Sequence, residues 1–242
     1  DYQGLRAFGS DSVMAELNRI MNDKLQTLKN KHAITLEHLR MGALKGLILD
    51  ADGTVLYDLF AEFNKTQYEV EFNLDTDSTD VRAKCWDVKR HIEDNLLGES
   101  MDGVHCLCDS TFMDSLVGHP NVKEAFLYQQ SSAMREDVRK GFYFGGITFE
   151  EYRGKATRPD GTVADFIGTG EAHFFPTGTQ NSFETTAAPA DFMETANTRG
   201  QLFYAKTKPR DYNRGADIHT QSNPLPLCYR PAMLVKGYRN TK

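Results

Sequence analysis

The longest regular pattern in this sequence is a stripe of apolar or helix-face residues, spaced three and four apart, between residues 12 and 44. Its members are Met14, Leu17, Met21, Leu25, Leu28, His32, Leu36 and Leu39. This spacing predicts one amphipathic helix, with N-cap oxygens offered by Ser10, Asp11 and Ser12 and no Pro or Gly before Gly42. At about 1.5 Å rise per residue, the helix would be roughly 50 Å long, comparable to the width of a compact domain of this size. We therefore expect a flat or elongated protein built on a helical spine.

Composition and charge exclude several classes of protein. With 242 residues, 40% of them apolar and 26% charged, the chain has an ordinary globular make-up and room for one large domain or two joined ones. Its net charge of −6 gives no general attraction to nucleic acid or anionic membranes. The sequence contains neither an apolar run of membrane-spanning length nor a signal-peptide pattern. Its four cysteines lack metal-site spacing and fit a reducing cytosol.

An Asp-Gly turn follows the predicted helix. Leu47–Leu49 and Thr54–Tyr57 are apolar, β-prone runs on either side of Asp50-Ala51-Asp52-Gly53. This arrangement is typical of a β-hairpin, in which Gly53 is free to adopt a positive φ. Weak alternation continues from Tyr68 to Phe72, so we expect long strands in this region.

Residues 75–80 form a polar, acidic joint and the best internal boundary. The pattern beyond it predicts a helix with one buried face, a short buried strand at residues 104–108, and two further helices. The buried face of the first helix comprises Val81, Cys85, Val88, Ile92 and Leu96. The later helices begin at an Asp109–Ser110 cap, ending near Leu116, and at Pro120, reaching about Gln129. Helices alternating with a strand indicate a compact α/β lobe.

The rest of the sequence favours strands and turns. We predict strands within residues 141–152, 171–175, 201–206 and 216–221, and a turn at residues 158–161. Pro176 is expected to end the second of these strands. A short helix is expected to begin near Pro189 and to hold Phe192 and Met193. Three prolines confine the tail to edge strands or irregular structure: Pro224, Pro226 and Pro231.

The stretch Leu47–Val55 resembles the first motif of haloacid dehalogenase-like phosphohydrolases. In that family the first acid, here Asp50, attacks phosphorus and the second, here Asp52, protonates the leaving group, with Mg²⁺ bridging them. The family also needs a downstream strand ending in Gly-Asp or Asp-Asp, and this sequence contains neither dipeptide. We therefore interpret the two acids as turn residues, and a Mg²⁺-dependent phosphohydrolase remains the disfavoured alternative.

Two other groups of residues invite a metal-site interpretation. Asp75, Asp77 and Thr79 begin like a Ca²⁺-binding loop, but Asp80 stands where that loop needs Gly and Trp86 where it needs Glu. A cluster of helix N-cap residues is the better interpretation.

The second group is His105, Cys106 and Cys108 in the predicted buried strand. Alternation along a strand places both cysteines on one face and His105 on the other, which favours core packing. We thus predict no catalytic, cofactor-binding or metal-binding residues.

Several segments, taken in order, resemble the major capsid protein E family of lambda-like tailed phages and prophages. They are Lys31–Gly46 running into the Asp50–Phe63 hairpin, then Phe174–Thr179, Phe183–Ala205 and Pro224–Pro231. Together they extend over nearly the whole chain. The resemblance therefore rests on the order of the segments, since none is an invariant chemical signature.

The resemblance implies an α+β fold of the Hong Kong 97 type. Such a fold has a peripheral domain with a long spine helix and a long β-hairpin or strands, and an α/β axial domain around the capsomer axis. Residues 1–77 would be the peripheral part with spine helix and hairpin, and residues 78–182 the axial-type lobe. Residues 183–242 would be a return segment that completes the peripheral domain and its sheet.

The resemblance also implies a function. The chain would be a structural, non-enzymatic subunit that self-assembles through hexamers and pentamers into an icosahedral head around double-stranded DNA, without sequence-specific binding, cofactor or membrane contact. Decoration and portal proteins are further implied partners. The protein would be made in the bacterial cytoplasm and located in the virion capsid. An encapsulin-type compartment of the same fold is a related possibility.

Members of this family carry an N-terminal arm and an extended loop before the spine helix, and both reach neighbouring subunits. Only nine residues precede Ser10 here. From the sequence we therefore expect these elements to be absent and the chain to be monomeric or weakly oligomeric at micromolar concentration.

Overall fold

The structure, a computed structural model, describes residues 13–128, 139 and 141–240. The chain divides into two compact units. One unit combines Asp1–Glu37 with Thr185–Leu225, and the other combines His38–Glu184 with Pro226–Lys242. Each unit is therefore built from two separate stretches of the chain.

The first element is the predicted long helix, α1, which spans Val13–Lys45 and confirms the prediction within one residue at its C-terminal end. The helix stops at Gly46, where φ is +79° and a Cβ would overlap the Phe60 ring. The predicted cap residues 10–12 lie outside the described residues. The apolar stripe is buried at Leu36 and Leu39 but only half-buried at its earlier members Met21, Leu25, Leu28 and His32.

Short strands and helices follow α1. In chain order they are β1 (Leu47–Leu49), β2 (Val55–Asp58), α2 (Leu59–Glu62), β3 (Tyr68–Glu71), α3 (Val81–Asn95), β4 (Gly103–Cys108), α4 (Ser110–Gly118), α5 (Pro120–Tyr128), β5 (Phe142–Phe144), β6 (Ile147–Glu151), β7 (Lys155–Thr157), β8 (Val163–Asp165), β9 (Glu171–Thr177), β10 (Phe183–Ala187), β11 (Tyr204–Pro209), β12 (Ala216–Gln221), β13 (Pro224–Cys228) and β14 (Val235–Tyr238). Single 3₁₀ turns occupy Met193–Thr195, Asp211–Asn213 and Pro231–Met233.

Six strands form the main sheet of the larger unit, in the order β3-β14-β9-β4-β6-β5. β14 runs parallel to β3 and antiparallel to β9, and β4 runs antiparallel to β9 and parallel to β6. β5 completes the sheet antiparallel to β6. The tail therefore supplies an interior strand, and the expectation of edge strands or irregular structure is wrong for β14. The three prolines all precede Val235, so every N–H of β14 can pair.

The core of this unit lies between the sheet and the helices that follow β3. All predicted core residues of α3 are buried, and Asp80 accepts a hydrogen bond from Ala83 N at 3.0 Å as the helix cap. Phe72 stacks on Phe174 at 5.5 Å between ring centroids and meets Phe112 of α4 edge-on at 5.3 Å. These interlocked rings join sheet and helix into one apolar core.

β9 shows a second departure from prediction. The sequence predicts that Pro176 ends this strand, yet β9 continues to Thr177. β14 pairs only with Glu171–Phe174, so β9 is an edge on that side when it reaches Pro176. An edge position tolerates a residue that has no N–H to donate.

The predicted hairpin at residues 47–57 is confirmed, because β1 and β2 pair antiparallel around the Asp-Gly turn. The strands between residues 47 and 72 are short, three or four residues each, rather than long. Asp58 causes the break, since its carboxylate accepts hydrogen bonds from Phe60 N and Ala61 N and starts α2. Outside the main sheet, the longest strands in the described part of the chain are β11 and β12, with six residues each.

In the smaller unit, β11 and β12 form an antiparallel hairpin. The predicted strand at 216–221 is confirmed, whereas the one predicted at 201–206 begins later, at Tyr204. Its start is delayed because Gln201 N donates to the Tyr204 hydroxyl at 2.7 Å, which turns the chain first. The helix predicted near Pro189 is only a 3₁₀ turn, closed by the Thr195 hydroxyl bonding to the carbonyl of Ala190 at 2.5 Å.

Candidate assembly surfaces

Asp50 and Asp52 lie in the β1–β2 turn, where both carboxylates accept hydrogen bonds from neighbouring residues of the turn. The Asp52 carboxylate accepts hydrogen bonds from Thr54 N at 2.8 Å and from Thr54 Oγ1 at 2.7 Å, and these bonds lower the pKa of Asp52. The Asp50 carboxylate accepts one from Ala51 N at 2.7 Å. Each acid is thus engaged with its own turn, as residues at the ends of Asx turns are.

The residues considered for a Ca²⁺ loop make hydrogen bonds to different parts of the structure. The Asp75 carboxylate binds Arg239 at 2.5 Å and also Asn240, which ties the joint to the end of β14. Thr79 Oγ1 donates to the carbonyl of Asn73 at 3.0 Å. The predicted N-cap role belongs to Asp80, not to Asp75 or Asp77.

The structure also separates His105 from the two cysteines. Cys106 and Cys108 are buried on the core face of β4, and burial raises the pKa of the Cys106 thiol. His105 lies on the opposite face, with Nε2 at 3.1 Å from Glu150 Oε2. Buried protonated thiols pack as small apolar groups, which agrees with the predicted core role.

One buried polar cluster was not anticipated from the sequence. His173 of β9 is only 2% exposed, and among the described residues its Nε2 is a buried side-chain atom without a hydrogen-bond partner. Glu171 Oε2 lies 3.5 Å from it, and Lys236 Nζ contacts Glu171 Oε1 at 2.6 Å. Lys45, nearby at the end of α1, donates to the carbonyl of Phe166 at 3.0 Å. No signal in the sequence distinguishes this histidine from the other six.

Burial and mutual charge set the protonation states in this cluster. The His173 ring and the Lys236 ammonium lower the pKa of Glu171 to about 2, against the opposite effect of burial. Burial lowers the pKa of His173 and also that of Lys45. Glu171 raises the pKa of Lys236, although burial opposes it. At neutral pH the cluster therefore holds the Glu171 carboxylate, the Lys236 ammonium and a neutral His173 imidazole. The Glu171–Lys236 ion pair joins β9 to β14 within this buried cluster.

Exposed apolar side chains are concentrated on the hairpin that follows α1. We call the segment from Gly46 to Asn64 the acidic hairpin, because it contains four carboxylates and no Lys or Arg. All four residues of β2 are exposed, Val55 to the extent of 59%. Further exposed apolar residues of this segment are Leu47, Leu56, Tyr57 and Phe63. Clusters of this kind mark surfaces that other molecules cover.

The β11–β12 hairpin is a second exposed segment. The side chains of β11 after Tyr204 are exposed, and the connecting turn places Tyr212 in solvent with 90% of its surface exposed. Tyr212 adopts φ of +58°, a left-handed conformation that is unusual for a bulky residue. The Arg214 guanidinium lies 5.5 Å from its ring centroid. We call residues 208–214 the basic tip.

Neither a metal-binding group nor a membrane-spanning helix is found in the described part of the chain. Across residues 13–128, 139 and 141–240, no group of three or more His, Cys, Asp or Glu side chains is arranged to hold a metal ion. None of the helices in the described part of the chain is long and apolar enough to cross a membrane.

Comparison with known structures places this architecture. A crystal structure named for a prophage capsid protein of Escherichia coli CFT073 superposes with a TM-score of 0.59 at 16% identity, covering 97% of this chain and 72% of that one. At this identity the similarity establishes the fold alone. The fold is thus the α+β fold of that capsid protein, as predicted from the sequence.

Sequence comparison then gives the family. The family described as phage major capsid protein E matches residues 1–238. The major capsid protein of Pseudomonas phage KPP10 is 34% identical over 255 residues, covering 98% of this chain and 72% of the relative. That of Salmonella phage Felix O1 is 32% identical over 267 residues, covering 97% and 72%. This chain belongs to the phage major capsid protein E family and is a phage capsid subunit.

Proposed function

We propose that this protein is a non-enzymatic structural subunit that assembles through hexamers and pentamers into the icosahedral head of a tailed phage or prophage. The observation that carries the proposal is the family match over residues 1–238, because it spans the whole fold and not one motif. The exposed apolar residues of the acidic hairpin support it, since a subunit surrounded by copies of itself has partners to cover them.

The proposed contents and partners of the shell follow from the same role. We expect double-stranded DNA inside, held without sequence-specific contacts. A net charge of −6 suits this arrangement, since strong phosphate binding would hinder packing and release of the DNA. Decoration and portal proteins are proposed as further partners. Synthesis in the bacterial host cytoplasm, before incorporation into the capsid, belongs to the same proposal.

The division of labour along the chain is also a proposal. Residues 1–77 would supply the peripheral domain with its spine helix, residues 78–182 the axial-type lobe, and residues 183–242 the segment that returns to the periphery. The compact units seen within the chain have boundaries at different residues, after 37, 184 and 225. The proposed peripheral and axial ranges are therefore not the compact units of the chain. They state where each stretch is expected to lie in a capsomer.

Sedimentation velocity of the purified protein over a wide dilution range tests the assembly role. We expect reversible, concentration-dependent association, because individual capsid contacts are small and become effective at high subunit concentration. A single monomeric boundary that persists at concentrations well above micromolar would count against the proposal.

A further inference from the structure

The acidic hairpin has an unusual combination of charge and exposure. Its carboxylates are Asp50, Asp52, Asp58 and Glu62, and the segment itself contains no Lys or Arg. The Arg158 guanidinium lies close to Gly53 at the turn, so Asp58 and Glu62 are the carboxylates farther along the segment from that cation. Successive strand residues point to opposite faces, yet β2 is exposed throughout, so neither of its faces is fully covered by the chain. Among the described strands, β2 pairs only with β1, which leaves its second edge open. An open edge with apolar side chains is a surface ready to receive another segment.

The basic tip has the opposite character. From Tyr204 to Gln221 four basic residues face two acidic ones, and one of those acids, Asp217, is already paired with Arg210 at 2.6 Å. Lys208 and Arg214 together exceed the one remaining acid, Asp211, and the Arg214 guanidinium lies 5.5 Å from the exposed Tyr212 ring. Tyr212 is held in the left-handed region, which disfavours a bulky side chain.

We propose that the acidic hairpin of one copy receives the basic tip of a second copy. This inference rests on the proposed capsid function, and charge complementarity argues for the second copy as occupant. The acidic hairpin combines exposed apolar side chains with carboxylates, and the basic tip combines an exposed tyrosine ring with basic side chains. The two surfaces differ, so the contact is heterologous, and heterologous contacts close into rings or extend as lattices instead of stopping at a dimer. A shell built from capsomers needs contacts of that kind.

Charge reversal provides the test. Within the described part of the chain, Asp52 holds the turn and Asp58 caps α2, so Glu62→Lys is the reversal that leaves both in place. Glu62→Lys and Arg214→Glu should each weaken self-association by about three- to tenfold in sedimentation velocity at low salt. The chain carrying both substitutions should associate more strongly than either single variant, because the attraction is restored with exchanged signs. Added salt should weaken the wild-type contact.

A variant of Tyr212 separates assembly from folding. Asn accepts the left-handed conformation more readily than Tyr, so Tyr212→Asn should retain or raise the melting temperature while weakening association. Loss of association without loss of stability cannot be attributed to a misfolded hairpin.

Asp94→Lys and Lys24→Glu are matched controls, since they make the same charge changes on exposed helix surfaces. Both should associate like the wild type. If the wild type associates and the two reversals behave like these controls, or the double variant is not rescued, the inference is wrong and the capsid function stands. If the wild type does not associate at all, the proposed function itself fails, and the inference with it.

Discussion

At the residue scale, the two acids of the β1–β2 turn show how the same dipeptide spacing can serve either catalysis or folding. In a phosphohydrolase both carboxylates would converge on Mg²⁺. Here the Asp52 carboxylate is bonded to Thr54, and the backbone N–H of Asp50 donates to the carbonyl of Thr54 at 2.8 Å to close the turn. The side chains thus stabilise the local backbone.

Substitution of Asp50 tests this role. Asp50→Asn keeps an acceptor for Ala51 N and should change the free energy of unfolding by less than about 1 kcal/mol, as exposed turn substitutions usually do. A thermal melt provides the measurement. Mg²⁺-dependent hydrolysis of a generic phosphate ester by the wild type, abolished in this variant, would contradict both the turn role and the structural function.

His173 makes stability depend on pH. Its pKa is lowered in the folded state by burial, and it is faced by Lys45 from α1, Glu171 from β9 and Lys236 from β14. The unfolded chain therefore takes up a proton at this residue as pH falls below its ordinary pKa of about 6.5, while the folded chain does not. Glu171 adds a second loss of folding stability as the pH falls from the ordinary pKa of a glutamate to the lowered pKa of about 2. Both effects destabilise the fold in acid.

The first of these losses can be isolated with a histidine variant. His173→Gln should flatten the decrease in unfolding free energy between pH 7 and the lowered pKa of His173, because the group that titrates only in the unfolded chain is gone. Chemical denaturation at several pH values measures the slope. The same substitution at exposed His219 serves as the control. Equal slopes for the wild type and His173→Gln would show that His173 protonates equally in both states.

At the element scale, α1 carries one apolar stripe in two different environments. Leu36 and Leu39 are buried, whereas Leu25 and Leu28 are half-exposed. The sequence predicts the stripe but not this gradient. Periodicity reports which face of a helix is apolar, while burial depends on how much of the remaining chain covers that face.

The gradient predicts different costs for one substitution. Leu39→Asp should cost several kcal/mol because it buries an unpaired carboxylate, and Leu25→Asp should cost clearly less because the charge can reach water. Lys29→Ala, on the exposed side of α1, should cost little. Urea titrations of the three variants give the comparison, and an equal loss at Leu25 and Leu39 would contradict the observed burial.

β14 offers a test of packing inside the main sheet. A Cβ on Gly237 would lie 2.7 Å from the Phe174 ring and 3.2 Å from the Phe72 ring. Gly237→Ala should therefore destabilise the protein by about 1–3 kcal/mol through overpacking. Gly103→Ala is the control, because its Cβ would meet only Thr177 Oγ1 at 3.8 Å. If both alanine variants have the same melting temperature, the ring cluster is looser than described.

Elements with strong local signals are the ones that the sequence predicts well. The α1 stripe, the capped α3 and the Asp-Gly hairpin each depend on neighbours within a few residues, and each lies where expected. β14 is different, because a strand of four residues gains its place from the pairing with β3 and β9, more than sixty residues away in each case. Local pattern carries no information about such partners.

The candidate surfaces, too, have some features that the sequence shows and others that only the fold reveals. The absence of basic residues between Gly46 and Asn64 is visible in the sequence and could have identified the acidic hairpin. The exposure of both faces of β2 could not be predicted from the sequence, because apolar runs are normally predicted to be buried. The strained Tyr212 and the unpartnered Nε2 of His173 arise from the tertiary fold, and only coordinates reveal them.

At the scale of the whole molecule, we propose that this capsid subunit acts through its surfaces. Its ionisable side chains take part in turns, caps and internal ion pairs. A group of exposed apolar side chains lies on the acidic hairpin, and the exposed Tyr212 lies on the β11–β12 hairpin. Stability of the fold and association between copies should therefore be separable. Variants of the core change unfolding, whereas variants of the hairpins change assembly.

Electron microscopy of the purified protein, concentrated until it associates, tests the central claim most directly. We expect particles with five- or six-fold rotational symmetry, or curved fragments of a shell, in which the main sheet and α1 fit the density of every subunit. Association into irregular aggregates, or into closed dimers alone, would contradict the claim that this chain is a self-assembling capsid subunit.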